Sequence, residues 1–323
     1  NKSYDSNKLE RNICEVEMME DAEYSENSFC SNDNSTLRKE DDDDNEEVER
    51  APSKPRLMSN CRKKRSMPTR DIPMEKEEDE EDSFSLLIST PSFVTKIGRK
   101  AFYEFSEMTQ IEIPNSVTSI EESAFEGCTS LKTIEIPSSV TSIGPSSFKG
   151  CKSLTKVNIP SSVTKIDEYA FENCSSLKDI EIHSSITLIE SYAFKGCESL
   201  TKVNIPNSVT SIESYAFKDC TSLKEITFPL SITNLGSHSF SGCSSLTKVE
   251  IPASITMIQK GTFFKCSSLS DIQIPPSVSK IENEAFYGCS SIEELIIPSS
   301  VTNIEYESFY DCTSLEKLTI DPF

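Results

Sequence analysis

The chain has 323 residues, with 32 Lys and Arg against 53 Asp and Glu, which gives a formal net charge of −21. Such an acidic chain repels phosphate, so its composition argues against a broad nucleic-acid-binding face, and we expect no nucleic-acid partner. The sequence contains no run of about 18 apolar residues, and we therefore expect no transmembrane segment. A single hydrophobic core stops growing at roughly 250 to 300 residues, so the length alone suggests two parts.

The first part comprises residues 1–82, which hold 14 Lys and Arg and 25 Asp and Glu, a net charge of 14 − 25 = −11. Residues 1–50 mix Asn, Ser, Asp and Glu and include the acidic run Asp41 to Asp44. Few apolar residues are available there to offset the conformational entropy lost on ordering. We therefore predict a disordered, charged N-terminal tail over residues 1–82.

A basic island interrupts this tail at residues 54–70, before the acidic block Glu75 to Asp82. The island contains Lys54, Arg56, Arg62, Lys63, Lys64, Arg65 and Arg70. Two basic clusters at this separation are typical of a bipartite nuclear-import signal. Alternatively, the island pairs with its acidic neighbours in a block-charged tail that holds no targeting signal. The sequence leaves both interpretations open.

The second part repeats itself every 23 residues. Phe recurs at 102, 125, 148, 171, 194, 217, 240, 263, 286 and 309, and Cys recurs at 128, 151, 174, 197, 220, 243, 266, 289 and 312. The unit between Leu131 and Ser153 shows the whole pattern, L-x-x-I-x-I-P-x-S-V-T-x-I-x-x-x-x-F-x-x-C-x-S, with Ala before the Phe in several other units. A fixed period of this length is the sequence signature of a repeat architecture.

Each unit predicts two extended segments. Ile134 and Ile136 share one face of a strand that begins at Leu131, because alternate residues of a strand point the same way. Pro137 ends this strand, and residues 140–143 form a second, shorter extended stretch. One helical turn then brings the Phe and the Cys of the unit, three residues apart, onto one face.

The residue before the Cys is Gly, Asn or Asp in most units, and these types tolerate the left-handed conformation that ends a turn. Glu104 and Lys265 depart from this pattern. We expect strain or a changed turn at these two positions.

A single unit cannot bury its apolar residues alone, whereas stacked units join their strands into a parallel sheet over a continuous core. We therefore predict a β-rich solenoid of ten units over residues 83–323, with parallel strands and short helical turns, preceded by the disordered tail. With strands about 4.8 Å apart, the ten units would extend over roughly 50 Å.

The repeated unit resembles the BspA-like, or Treponema pallidum-type, leucine-rich repeat, and the resemblance covers about three quarters of the chain. Members of that family are surface proteins of oral and gut bacteria, with large expansions in anaerobic protist parasites, and they are associated with adhesion. The resemblance implies a leucine-rich-repeat array with a binding role and favours the cell surface. The charged tail with its basic island is not part of the family pattern.

The cysteine column has three interpretations. Zinc sites need ligands that converge from close pairs such as C-x-x-C, and disulfides need side chains that face each other. Cysteines that stack one per unit meet neither condition, so we expect nine reduced, buried and inert thiols and no metal. These thiols, with Cys14, Cys30 and Cys61 of the tail, favour the reducing interior of a cell, cytoplasmic or nuclear.

Two serine columns also repeat, at 130, 153, 176, 199, 222, 245, 268, 291 and 314 and at 116, 139, 162, 185, 208, 231, 254, 277 and 300. A catalytic serine needs a unique base and an orienting acid, and His183 and His238 are the chain's two histidines. We expect the hydroxyls to satisfy backbone groups at the turns. His183 occupies a position that is proline in other units, and His238 occupies a position that varies between units. We therefore predict that the protein is not an enzyme and that it binds no cofactor.

The outward strand positions give the candidate binding surface. Their charge sign alternates through Lys156, Asp179, Lys202, Glu225, Lys248 and Asp271, followed by Glu294 and, two residues on, Ile296. Opposite charges on adjacent strands attract, so alternation relieves the stacking of like repeats. One interpretation is a wide binding face of the kind that solenoids present. The other is that the alternation only keeps the sheet soluble and in register.

We therefore predict a non-catalytic protein-interaction module, an adhesin or a scaffold, which binds a protein ligand through this face. The alternative is an intracellular or nuclear regulatory scaffold directed by the basic island. The exposed strand at Leu318 to Ile320 predicts weak end-to-end self-association, or further sequence beyond it that covers this edge.

Overall fold

The computed structural model describes residues 86–320, and every strand pair in that range is parallel. Most turns of the chain contribute one longer strand and one strand of two residues. The longer strands are β1 (Leu86–Ser89), β3 (Met108–Glu112), β5 (Thr133–Glu135), β7 (Lys156–Asn158), β9 (Asp179–Glu181), β11 (Lys202–Asn204), β13 (Glu225–Thr227), β15 (Lys248–Glu250), β17 (Asp271–Gln273), β19 (Glu294–Ile297) and β21 (Lys317–Ile320).

The two-residue strands alternate with these along the chain. They are β2 (Lys96–Ile97), β4 (Ser119–Ile120), β6 (Ser142–Ile143), β8 (Lys165–Ile166), β10 (Leu188–Ile189), β12 (Ser211–Ile212), β14 (Asn234–Leu235), β16 (Met257–Ile258), β18 (Lys280–Ile281) and β20 (Asn303–Ile304). The predicted strand from Leu131 is shorter than expected and begins at Thr133, although Leu131 itself is fully buried.

The longer strands form one side of the solenoid. Seven of them make a continuous sheet in the order β17-β15-β13-β11-β9-β7-β5, and the pairs β1-β3 and β19-β21 lie at the two ends. The register equals one repeat, so Lys202 lies beside Asp179 on one side and Glu225 on the other. The short strands make a second side, in the sets β2-β4-β6-β8, β10-β12-β14 and β16-β18-β20. The predicted parallel solenoid of ten units is confirmed.

The repeated phenylalanines form the centre of the core. Their rings stack from Phe102 to Phe309, with adjacent centroids 5.2 to 6.0 Å apart. Each of these rings from Phe125 to Phe286 is fully buried. Burying a large side chain in every unit joins neighbouring units through the hydrophobic effect.

The predicted helical turn is wrong, since the described range contains no helix. Glu126 donates its N–H to Ser123 within the unit, but Phe125 and Gly127 donate theirs to Ser147 and Lys149 of the next unit, both at 2.8 Å. Alternate N–H groups therefore join neighbouring units, and no continuous helical series of hydrogen bonds can form. The segment is a chain of turns that builds a third side of the solenoid, here called the turn face.

Two positions of each turn segment adopt left-handed backbone angles. The position before the Cys does so as predicted, and Glu104 (φ 55°) and Lys265 (φ 54°) keep the same turn at the cost of strain in a residue with a side chain. A second left-handed position, four residues earlier, was not predicted. It is occupied by Ser123 and Tyr169 among others, with φ values of 55° and 59°.

Candidate functional site: the strand face

The strand face consists of the outward side chains of the longer strands. Each three-residue strand shows the same pattern, an exposed residue, a buried apolar residue and an exposed residue. The candidate residues Lys156, Asp179, Lys202, Glu225, Lys248, Asp271, Glu294 and Ile296 are all exposed on it. The structure thus places all eight on one surface, in the positions that strand alternation predicts.

Several of the alternating charges are close enough to pair. Lys202 Nζ lies 3.2 Å from a carboxylate oxygen of Glu225, and Lys248 Nζ lies 3.3 Å from Asp271 and 2.9 Å from Glu250. Hydrogen bonds to Glu250 and Asp271 raise the pKa of Lys248 above its ordinary value. These side chains remain more than half exposed, so the pairs contribute little to folding and stay available to a partner.

The face becomes less charged toward its C-terminal end. Thr227 and Gln273 take positions that Glu or Asn occupies in earlier strands, and Ile296 is an aliphatic residue with 62% of its surface exposed. Beside Ile296, Glu294 pairs with Lys317 at 3.2 Å. An apolar side chain next to a charged pair is a suitable anchor for a partner.

Eight of the nine cysteines in the column are buried as predicted, Cys312 is half-buried, and none of the nine forms a disulfide. Each thiol donates a hydrogen bond to the backbone carbonyl of the Phe in the preceding unit, as from Cys128 to Phe102 and from Cys197 to Phe171. Burial raises the pKa of Cys128 to about 12 and that of the half-buried Cys312 to about 11. Thiols held protonated in this way are poor nucleophiles and poor metal ligands.

The second serine column satisfies backbone groups, as expected. Its hydroxyls donate to the carbonyl of a residue 22 positions earlier, as from Ser162 to Val140 and from Ser208 to Ile186, both at 2.6 Å. In the first column, the Ser291 hydroxyl donates to the carbonyl of Ser267, which lies 24 positions earlier. His183 accepts the turn hydrogen bond from Ile186 that a proline accepts in other units, so it is a turn residue.

The turn face holds an aromatic arrangement that the sequence reasoning missed. Tyr169, Tyr192, Tyr215 and His238, here called the aromatic ladder, stack with centroids 4.6, 4.7 and 5.1 Å apart and with planes within 13°. All four occupy the second left-handed position. Their recurrence every 23 residues was a signal that could have identified the ladder.

Lysines flank the aromatic ladder. The ammonium groups of Lys149, Lys195 and Lys218 lie 5.3, 5.4 and 5.8 Å from the ring centroids of Tyr169, Tyr192 and Tyr215. The carboxylate of Glu172, whose side chain is 6% exposed, lies between Lys149 and Lys195 at 3.0 Å from each. Burial raises the pKa of Tyr192, the middle ring of the tyrosine stack.

Other predicted features fall elsewhere. The basic-island residues Lys54, Arg56, Arg62, Lys63, Lys64 and Arg65, the tail and the tail cysteines lie outside the described residues. Within residues 86–320, no group of three potential metal ligands comes together. In the same range no helix is long and apolar enough to cross a bilayer.

Parallel strands stacked at a spacing of one repeat, over a ladder of Leu, Ile, Val and Phe, define a leucine-rich-repeat solenoid. The sequence pattern described as BspA type Leucine rich repeat region (6 copies) matches residues 95–203 and 187–316. The chain belongs to the BspA-type leucine-rich-repeat family, whose solenoid fold generally serves as a non-catalytic scaffold for protein interaction. No curated protein matches the sequence.

Solved structures of bacterial proteins are similar to this chain. A leucine-rich cell surface protein from Faecalibacterium prausnitzii is 34% identical, with a TM-score of 0.52, over 72% of this chain and 71% of its own. A leucine-rich repeat protein from Bacteroides ovatus is 28% identical, with a TM-score of 0.51, over 72% and 78%. The pneumococcal vaccine antigen PcpA is 27% identical, with a TM-score of 0.51, over 72% of this chain and 62% of its own.

Proposed function

We propose that this protein is an adhesion or scaffold module that binds a protein ligand through the strand face, without catalysis or a cofactor. The observation that supports this most directly is the row of exposed, alternating charges in register across the seven-stranded sheet. The residues assigned to the contact are Lys156, Asp179, Lys202, Glu225, Lys248, Asp271, Glu294 and Ile296. A row of charges at the spacing of adjacent strands can match a complementary row on a partner.

The descriptions of two similar bacterial proteins favour the adhesion form of this proposal. The Faecalibacterium relative is described as a cell surface protein, and PcpA is described as a vaccine antigen. If this chain works in the same setting, its partner is a protein on another cell or in a matrix.

Affinity capture with a matched pair of variants tests the proposal. In the first variant the charges of two pairs are exchanged, with Lys202→Glu, Glu225→Lys, Lys248→Asp and Asp271→Lys. The exchange keeps opposite charges at positions 202 and 225 and at positions 248 and 271, but it removes the contact of Lys248 with Glu250 and places a second carboxylate beside Asp179. Exposed pairs contribute little to folding, so the fold is expected to persist while the pattern that a partner meets is inverted. We expect the full chain to retain a protein that this variant loses.

The control removes one charge away from the strand face. Lys165 bridges Asp167 and Glu190 beside the short strands, at 3.2 and 3.7 Å, and Lys165→Gln alters charge there by one unit. Retention of the same protein by all three chains would argue against the strand face. Failure of the full chain to retain any protein would argue against the binding role itself.

An intracellular or nuclear regulatory scaffold is the second candidate function. The basic island at residues 54–70 and the free thiols favour it. Microscopy of a chain without residues 54–70 tests the targeting role of the island. An unchanged distribution between cytoplasm and nucleus would eliminate this candidate.

We also propose that the C-terminal edge supports weak end-to-end association of two copies. Within the described residues β21 pairs on one side with β19, and Leu318 and Ile320 are 50% and 67% exposed. Unpaired strand edges with apolar side chains favour association. Sedimentation velocity should show a concentration-dependent dimer, and a strict monomer at high concentration would contradict this.

A further inference from the structure

A second stack of aromatic rings lies on the turn face, at the C-terminal end of the described residues. Its members are Phe264, Tyr287 and Tyr310, here called the C-terminal stack, and their adjacent centroids are 4.8 and 5.2 Å apart. In the part of the chain that the structure describes, no ring covers the far side of Tyr310, which is 59% exposed. Tyr306, at the start of the same turn segment, is 70% exposed. A partner therefore meets accessible aromatic surface here.

One cation already lies on this stack. The ammonium group of Lys265 is 5.2 Å from the ring centroid of Phe264. Cations are attracted to the negative face of an aromatic ring, so this contact is favourable. Two units later the position of Lys265 is Asp311, and no described lysine lies over Tyr287 or Tyr310. The two tyrosines thus lack the cation that the phenylalanine has.

The charges at this end of the array are mostly negative. Residues 278–320 contain eight Asp and Glu and two Lys. Lys280 is already paired with Glu282 and Glu305. Lys317 is already paired with Glu294. The five remaining carboxylates form no salt bridge with any other described residue, and they are Glu284, Glu293, Glu307, Asp311 and Glu316.

Three of these carboxylates belong to the residues around the exposed rings. Glu307 and Asp311 lie in the turn segment of Tyr306, and the backbone N–H of Glu284 donates to the Tyr306 carbonyl at 2.9 Å. Burial is the largest cause that raises the pKa of Tyr287, and the negative charges of Asp311, Glu307 and Glu284 raise it further. A hydrogen bond with Glu307 is the largest cause that raises the pKa of Tyr306. The accessible rings are therefore surrounded by negative charge that no described cation neutralises.

We propose that the C-terminal stack, Tyr306 and the three adjacent carboxylates form a docking surface for a lysine- or arginine-rich segment of a partner protein. A cation of the segment lies over the open face of Tyr310, as Lys265 lies over Phe264, and its neighbours pair with the carboxylates. Aromatic faces and carboxylates both attract cations, whereas an acidic segment or a nucleic acid would be repelled. This surface is separate from the strand face and from the edge of β21, so it does not depend on the function proposed above.

The test uses the full chain and a fluorescein-labelled oligolysine peptide, with binding followed by fluorescence anisotropy. A salt concentration of about 0.15 M screens charges that lie far from the contact. The first variant, Tyr287→Ser with Tyr310→Ser, removes two rings of the stack. Serine is native to this column, as Ser241 shows. The unfolding midpoint of this variant should therefore stay close to that of the parent chain.

The second variant, Glu284→Ser with Glu307→Ser, removes two of the carboxylates. Ser123 occupies the same left-handed position in an earlier unit, so serine fits there as well. The matched control is Glu168→Ser with Glu198→Ser, which removes two exposed carboxylates elsewhere along the array. Both control positions are serine in a neighbouring unit. The second variant and the control change the net charge equally, so they differ only in where the charge is lost.

We expect each of the two variants to weaken oligolysine binding by roughly tenfold, whereas the matched control binds it as the parent does. Acetylated oligolysine, which lacks the positive charges, should bind at least about tenfold more weakly than oligolysine. A carbodiimide, which couples carboxylates to contacting amines, should join the peptide to Glu284, Glu307 or Asp311 of the parent chain. Peptide mapping by mass spectrometry identifies these positions.

The proposal is overturned if the parent chain does not bind oligolysine, or if the matched control weakens binding as much as the two variants do. Equal binding of the acetylated peptide would show that charge is not recognised. Coupling confined to carboxylates of residues 1–82 would assign the binding to the tail. A chain without residues 54–70 should bind oligolysine as the parent does, and binding more than about tenfold tighter would assign the surface to the chain's own basic island.

Discussion

His238 ends the aromatic ladder, and histidine is the residue type whose ordinary pKa lies closest to neutral pH. Its ring stacks on Tyr215 and lies over Gly261, where a Cβ would approach the imidazole to 2.2 Å. Burial is the largest cause that lowers the pKa of His238, and the positive charges of Lys260 and Lys218 lower it further. The negative charge of Glu284 raises it. Glycine at 261 therefore makes room for a ring that the folded protein holds neutral.

We predict that His238 makes the array less stable at acid pH. Its pKa is lower in the folded than in the unfolded state, so the unfolded chain takes up the proton first. The stability that depends on neutral His238 is complete above about pH 6.5 and is lost as the pH falls through the lowered pKa. His238→Tyr, which repeats the residue of three earlier units, should lose less stability than the parent between pH 7 and pH 5. Equal losses in denaturant titrations would contradict this role.

The thiol column gives a second prediction at the residue scale. Because thiolates are the reactive form, the half-buried Cys312, with a pKa of about 11, should hold more thiolate than the fully buried Cys128, with a pKa of about 12. Iodoacetamide labelling with peptide mapping should therefore modify Cys312 before Cys128 in the folded chain. All cysteines should react alike in denaturant, which serves as the control. Faster labelling of Cys128 than Cys312 would show that the column is not sealed.

Sequence reasoning identified the strand-face residues but not the aromatic ladder. Strand alternation fixes which side of a sheet Lys202 and Glu225 occupy, so their exposure followed from spacing alone. Tyr169 and His238 lie in a turn whose geometry depends on left-handed backbone angles in residues that rarely adopt them. No local preference of Tyr predicts that conformation, which is held by hydrogen bonds to the next unit.

Among structural elements, most turns between a longer strand and the following short strand include a serine hydroxyl that bonds to the preceding unit. Ser162 donates to the Val140 carbonyl of the preceding unit at 2.6 Å, whereas its neighbour Ser161 is exposed. We predict that Ser162→Ala costs about 1 kcal/mol, because it leaves the carbonyl without this donor. Ser161→Ala is the matched control and should change the unfolding free energy by a few tenths of a kcal/mol. Equal effects in urea titrations would remove the serine column from the structural account.

The turn segment shows where element prediction failed. Phe148 and Cys151 are both fully buried, as their spacing indicated, yet they lie on successive turns and not on a helix. A spacing of three is compatible with either arrangement. The choice is made by the next unit, whose carbonyls accept the alternate N–H groups, and that contact is not visible in the sequence of one unit.

For the whole molecule, the alternation of charge predicts how the array responds to deletion. Removing residues 177–199 places Lys202 beside Lys156, whereas removing residues 177–222 places Glu225 there. Both deletions keep the core columns in register. Like charges on adjacent strands repel and are screened by salt, so added NaCl should stabilise the shorter deletion more than the longer one. The same salt response in thermal unfolding of both variants would show that the alternation has no energetic role.

The solenoid itself was predictable because each unit repeats the same core residues. A buried residue that recurs every 23 positions can be satisfied by stacking, and the register of the strands then equals the period. The boundary at residue 82 and the disorder of the tail stay predictions. The binding role of the strand face is a proposal based on its alternating charges, because a periodic charge pattern does not identify the partner that it matches.

The most direct test of the central claim is the dissociation constant of the captured protein partner, measured for the full chain and for the strand-face exchange variant. The binding role of Lys202, Glu225, Lys248 and Asp271 predicts at least about tenfold weaker binding by the variant, since charge complementarity is inverted at four positions. The Tyr287→Ser, Tyr310→Ser variant should bind this partner as the parent does. Dissociation constants within twofold of each other for the parent and the exchange variant would contradict the account.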